Sequence, residues 1–231
     1  MWMDNWVLNL PAHLWPLPPP KAPPHQRLLF RFFETQTTAV VLSSSNKAEV
    51  EAHPQRCAEL GVPILKRKGG GGTVVLGPGC VVLTLAFYAQ DVFGNSGYFH
   101  AINEVWSHAL AAAGVAQVVT RGISDLAVGN CKIAGTSIFR RKHLLVYQGS
   151  LLVSPQFQLM SQLLSHPSRE PDYREGRPHE GFLTSTQQQG CSLSAEQLAL
   201  HCQLFFKAHA HRMLQHCFAG PEVMLSNETI P

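Results

Sequence analysis

The chain has 231 residues, 45% of them hydrophobic and 14% charged, which is enough apolar material for a sizeable core and too much for disorder over the full length. Eighteen basic against 15 acidic side chains leave a formal charge of +3, far short of the dense basic stripe that phosphate-backbone binding needs, so nucleic acid is excluded as the main ligand. No run of 18 apolar residues exists, which excludes a membrane-spanning helix.

Met1 to Leu17 is aromatic and apolar but carries Asp4 and no Lys or Arg before Lys21, unlike the positive start of a signal peptide, and a cytoplasmic protein is expected. Seven of the 16 prolines lie between Pro11 and Pro24, so residues 1–25 read as an extended arm. The six cysteines are widely spaced without a C-x-x-C pair, as reduced thiols are. Residues 26–220 read as one domain and 221–231 as a tail.

From Leu28 onward, Leu28–Phe33, Thr38–Leu42, Val62–Leu65, Thr73–Leu76 and Cys80–Phe87 are short β-branched or aromatic runs bounded by turn residues, and they predict strands. Pro54 can open a short helix that Gly61 stops. Ile102, Trp106, Ala109, Leu110 and Ala113 fall on one helical face, with Gly114 at its end. Further strands are predicted at Val115–Thr120, Lys132–Phe139 and Leu144–Val153, then a long polar loop over His166–Gly190. Ser194 and Gln197 form a capping-box pattern that opens a helix with the stripe Leu198, Cys202, Phe205, Phe206, His209 and Met213. This order predicts an α/β (α+β) domain, a mixed β-sheet flanked by helices.

The most unusual segment is Lys66-Arg67-Lys68-Gly69-Gly70-Gly71-Gly72-Thr73-Val74-Val75. Successive glycines let backbone N–H groups converge on an anion with no Cβ in the way, and the neighbouring cations attract it. The same segment is also compatible with a tight hairpin carrying a solvated basic rim. Neither G-x-x-x-x-G-K-[ST] nor G-x-G-x-x-G is present, so a nucleotide would have to bind in another way.

A second segment, Ser124-Asp125-Leu126 through Lys132-Ile133-Ala134-Gly135-Thr136, reads as a hairpin turning at Gly129-Asn130. Asp125 and Lys132 can then face each other, either as a surface ion pair or as a cation set among small residues that leave room for a ligand. His209 and His211, with His201, Cys202, His216 and Cys217, invite a zinc reading. Positions two apart on a helix point in different directions, so no metal site is assigned. Arg140-Arg141-Lys142 reads as a solvated turn that can also steer an acidic partner. No Ser sits in G-x-S-x-G.

Together these segments resemble the lipoate-protein ligase A family, within the wider biotin/lipoate ligase and octanoyltransferase group. The resemblance runs from about Leu28 to Met213. The family's Arg, Gly-Gly-Gly turn and short strand correspond to Arg67, Gly70, Gly71, Gly72 and Thr73-Val74-Val75, with Gly77-Pro78-Gly79 after them. Its Asn-Asp-Leu and Lys-Ile-Ser-Gly-Ser correspond to Ser124-Asp125-Leu126 and Lys132-Ile133-Ala134-Gly135-Thr136. Its His-Gly-Thr-Leu-Leu strand corresponds to Gln148-Gly149-Ser150-Leu151-Leu152, and Pro171-Asp172-Tyr173-Arg174 with Arg177 and His179 is similar to a loop of some members. Leu76, Ser124 and Gln148 stand where the family has His, Asn and His.

The resemblance implies a mixed sheet holding an acyl-adenylate pocket, in an enzyme that joins lipoate to AMP from ATP and then acylates a lysine of a lipoyl carrier domain or a glycine-cleavage H-type protein. Lys132 is implied as the catalytic cation at the carboxylate and α-phosphate. Arg67 and the amides of Gly70 to Gly72 are implied to hold anionic oxygens, Val74 to line the aliphatic channel, and Ser124, Gly135, Thr136 and Gln148 to shape the site. Asp125 is implied to hold Mg²⁺ or orient the nucleotide. The resemblance ends near the close of the catalytic domain, before the accessory domain that several ligases use, which leaves either a separate accessory subunit or an acyltransferase role. Octanoate in place of lipoate, transfer without ATP, and a non-catalytic acyl-binding relative are the alternatives, although no cysteine matches the acyl-carrying position of the octanoyltransferases. The Arg67–Gly72 pattern favours lipoate over biotin.

Overall fold

The computed structural model describes residues 28–90 and 94–218, so the arm at 1–25 and the tail at 221–231 lie outside the described residues. Among the described residues, nine strands form two sheets. The larger is antiparallel throughout, in the order β1-β5-β9-β8-β7-β6, with β1 at Leu29–Glu34, β5 at Cys80–Tyr88, β6 at Val118–Arg121, β7 at Asp125–Val128, β8 at Cys131–Arg141 and β9 at Leu144–Leu152. The smaller has β2 (Ala39–Leu42) between β3 (Ile64–Lys66), which is parallel to it, and β4 (Val74–Leu76), which is antiparallel.

Every residue of β5 is buried, because the strand is covered on both faces. Alternation decides which layer each residue meets. Val81, Leu83, Leu85 and Phe87 join the core beneath two helices, whereas Val82 packs with Ala39, Val41 and Leu76 of the small sheet. The two helices are α3 (Asn95–Ala112) and α6 (Ala195–Met213). The expected stripes face this core: Ile102, Trp106, Ala109 and Leu110 from α3 and Leu198, Cys202 and Phe206 from α6 are buried. Phe32 joins the layers, edge-on to Trp106 at 5.8 Å and to Phe206 at 4.9 Å between ring centroids. Gly114, at φ +89°, ends α3.

The small sheet is backed by α1 (Ala48–Glu51), α2 (Pro54–Glu59) and α4 (Phe157–Leu163), around a second core that includes Val40, Cys57, Met160 and Leu163. The sequence pattern missed α1 and α4, each at most two turns long. The polar stretch expected as one loop contains a 3₁₀ turn at Asp172–Arg174 and the single-turn helix α5 (His179–Phe182). The strand expected at Val115–Thr120 begins only at Val118.

The hairpin reading of the glycine segment fails on topology. Strands β3 and β4 flank β2 and do not pair with each other, so Arg67 to Thr73 arches over the end of β2. That arch stands over β8, where a Cβ on Gly69 would come within 2.8 Å of Ser137 Oγ. No helix among the described residues is long and apolar enough to cross a membrane.

Candidate active site

Between the two sheets lies a cavity of about 1010 Å³. Val41, Val74, Val75 and Leu76 line it from the small sheet, and Val82, Thr136, Gln148, Ser150 and Leu152 from the large one. The strap of residues 167–172 closes one side. One part of the wall is therefore aliphatic, with Met160 and Leu164 added, while the other carries charge.

The charged end is built on the β7–β8 hairpin. Gly129, at φ +58°, occupies the first position of the two-residue turn between Val128 and Cys131, a conformation that glycine adopts without a Cβ clash. The register shifts after Leu126 and pairs Ala127 with Lys132, which places the lysine diagonally across from Asp125. Lys132 Nζ lies 2.7 Å from Asp125 Oδ1, with both side chains largely shielded, at 23% and 13% exposure. The other carboxylate oxygen, Oδ2, accepts a hydrogen bond from Tyr173 at 3.0 Å. Burial, and then the adjacent Asp125 charge, push the Tyr173 phenol up, so it remains a donor. With both oxygens engaged, Asp125 fits a part in holding the lysine. A magnesium ion is not assigned to it.

Gly135 gives the ammonium its space: a Cβ there would lie 3.0 Å from both Cε and Nζ of Lys132. Thr136 Oγ1 donates to the Ser124 carbonyl at 2.7 Å, and Ser124 Oγ to the Thr136 carbonyl at 3.4 Å, so the two residues cross-link β8 to the segment before β7. A buried amide that sequence reasoning overlooked supports them. Asn103 of α3 donates to the Ser124 carbonyl at 3.1 Å and accepts from Tyr147 OH at 2.7 Å. Its only signal was an amide next to the apolar stripe.

The glycine arch forms the facing wall. Arg67 is buried at 7% exposure; its Nη2 donates to the carbonyls of Gly70 and Gly72, each at 2.7 Å, and Nη1 to that of Val41 at 3.3 Å. The guanidinium thus shapes the arch from within while also lining the cavity. Gly71, at φ +93°, sits where a Cβ would approach Arg67 Nη2 at 3.3 Å.

Of the residues expected at the site, Arg67, Gly71, Gly72, Val74 and Ser124 line this one cavity, as do Asp125, Lys132, Gly135, Thr136 and Gln148. Gly70 does not line it, and contributes the carbonyl that holds Arg67. Leu76 and Gln148, both buried, occupy lining positions where the resemblance has imidazoles.

Just after the strap, Arg174 and His179 also line the cavity, and sequence reasoning quoted them as part of a loop without giving them a role. Burial pushes the Arg174 guanidinium below its ordinary range. It also lowers the His179 imidazole to about 4, with Arg174, His166 and Lys132 adding repulsion, so the ring is neutral at pH 7.

A family model described as the lipoyl protein ligase A/B catalytic domain matches residues 21–203. The chain belongs to this family. The fold agrees: a bi-partite lipoate protein ligase from Thermoplasma acidophilum, described with its E2 lipoyl domain, is similar at TM-score 0.69 and 17% identity over 80% of this chain and 72% of that one. A T. acidophilum protein with bound lipoic acid follows at TM-score 0.68 and 17% identity, covering 80% and 73%. A lipoate-protein ligase A bound with ATP is similar at TM-score 0.66 and 19% identity, again covering 80% and 73%. No curated protein matches the chain significantly.

Elsewhere the candidates disperse. Among the described residues no group of three His, Cys, Asp or Glu gathers as a metal site. His209 packs at a tilt against Phe205, with ring centroids 4.6 Å apart, and His211 likewise against Phe218 at 5.1 Å. No cysteine lines the cavity. Burial pushes the thiols of Cys80 and Cys217 up to about 11 and that of Cys202 to about 12, away from the thiolate form.

Proposed function

We propose that this lipoate ligase-like enzyme activates lipoate with ATP and transfers the acyl group to a lysine of a lipoyl carrier domain. The observation that carries the reading is the meeting of the Lys132 ammonium and the glycine arch on one cavity that also has an aliphatic wall. A carboxylate head fits the first pair and a fatty tail fits the second. In the first step a lipoate carboxylate oxygen attacks the α-phosphorus of ATP, the bond to the β-phosphate oxygen breaks, and pyrophosphate leaves. In the second, the carrier lysine amine attacks the acyl carbonyl, the bond to AMP breaks, and the amine gives up a proton. Lys132 stabilises the oxyanion charge that develops in both steps, and Asp125 holds the ammonium in place.

The direct route through an adenylate is favoured over a cysteine-bound acyl intermediate because no thiol faces the cavity. ATP enters as its magnesium complex, with the ion held mainly by phosphate and water. One structural neighbour is described as a bi-partite ligase, which supports a separate accessory subunit as part of this reading. The H-type protein is a second acceptor of the same class.

The test incubates purified protein with ATP, Mg²⁺ and either lipoate or octanoate, follows pyrophosphate release, and then adds a carrier domain. Release that depends on the acid, followed by carrier acylation, is the expected result. Acylation only from a preformed acyl-carrier thioester would instead identify an ATP-independent transferase, and acid binding with neither reaction a non-catalytic relative.

A further inference from the structure

Arg174 stands apart from the other guanidiniums around the cavity. Its residue is 4% exposed, its Nε donates to the Arg177 carbonyl at 2.8 Å, and its plane lies over Phe182 with the central carbon 4.9 Å from the ring centroid. Glu170 Oε2 approaches Nε at 3.4 Å, too long for a strong bond, and that carboxylate is shared with His166 at 2.9 Å and with the Gly176 N–H at 2.8 Å. The terminal Nη2 has no hydrogen-bond partner among the described residues, although it is buried.

A buried guanidinium nitrogen without an acceptor is rare, because its N–H groups lose their water without replacement. Arg67, on the far wall, sends both terminal nitrogens to carbonyls. Arg177 next door gives Nε, Nη1 and Nη2 to carbonyls as well. Arg174 therefore retains a donor that the described residues do not use, on a residue lining the cavity that Lys132 enters from β8. A planar fork of this kind suits oxygens of a phosphoryl group.

We propose that Arg174 is a second cationic ligand for the anionic head bound beside Lys132, its buried Nη2 turning outward to donate to a phosphoryl oxygen when that head binds. The identity of that head, either the α-phosphate of the acyl adenylate or the pyrophosphate leaving group, rests on the activation reading above. The site itself does not. Glu170 competes for the guanidinium when the cavity holds no anion and holds the strap in shape through Gly176.

Calorimetric titration of the purified full chain with AMP, and separately with inorganic pyrophosphate, tests this. Wild type binds at least one of them, and the one it binds tells α-phosphate from leaving group. Arg174→Lys keeps the charge but loses the fork, and weakens that affinity about tenfold or more. Glu170→Gln removes the competing charge while leaving an oxygen for Gly176, and tightens binding severalfold. A guanidinium that merely braces the strap predicts the opposite sign for Glu170→Gln, so unchanged or weaker binding in that variant overturns the proposal. Wild type that binds neither AMP nor pyrophosphate overturns it too. If Arg174→Lys does not fold, Glu170→Gln alone decides. Lipoate and octanoate binding, measured on the same samples, reports on the acyl reading independently.

Discussion

Gly135 draws its importance from what a side chain there would meet. A methyl group would press on Lys132 Cε and Nζ at 3.0 Å, tighter than ordinary contact, while the pairing of Gly135 with Ser150 would be kept. The flexible end of the lysine yields first, and its Asp125 contact with it. Gly135→Ala is expected to lower the acyl-activation rate at least tenfold, with a melting temperature near that of wild type, as measured by pyrophosphate release and thermal unfolding. His179 makes a prediction in pH. Its folded value near 4 lies below the usual 6.5, so the unfolded chain takes up the proton first and stability falls as pH drops from about 6.5 toward 4. In His179→Gln that part of the acid loss disappears, which melting curves across the range would show as a shallower slope. Lys132, Asp125 and the glycines were singled out by spacing and composition, which left an ion pair and a hairpin open, and it was the family resemblance that implied their roles. Tyr173 and Arg174 were quoted only as part of a loop and Asn103 not at all, since their roles arise from partners 21 to 48 positions away or from a partner missing among the described residues.

At the scale of elements, long and periodic segments were readable and short ones were not. Helix α6 carries its start signal in full: Ser194 Oγ accepts from the Gln197 N–H at 3.2 Å, and Gln197 Oε1 accepts from the Ser194 N–H at 2.9 Å. Ser194→Ala is expected to cost about 1 kcal/mol, read from denaturant unfolding, without changing activity, because the cap lies outside the cavity lining. Helices α1 and α4 lack such signals and are stabilised by packing on the second core through Ala52, Met160 and Leu163. The glycine arch shows a different limit. Its composition suits a hairpin and an arch equally, and the choice is made by β2, a strand about 25 residues earlier that slots between β3 and β4.

For the molecule as a whole, the order of elements indicated an α/β class, yet it did not separate one sheet from two. That separation creates the site. Alternate residues of β5 and β9 face opposite layers, so one set builds the core beneath α3 and α6, and the other set walls a cavity against the small sheet. Gly149 belongs to the first set by its side-chain direction, where a Cβ would fall 2.4 Å from Trp106, although its backbone, like its neighbour Gln148, lines the cavity. The most direct measurement is the affinity of a non-hydrolysable acyl-sulfamoyl adenosine for wild type, Lys132→Ala and Gly71→Ala. If one head group sits between the ammonium and the arch, both variants bind it at least tenfold more weakly while remaining folded. Wild-type affinity in both variants would contradict the account.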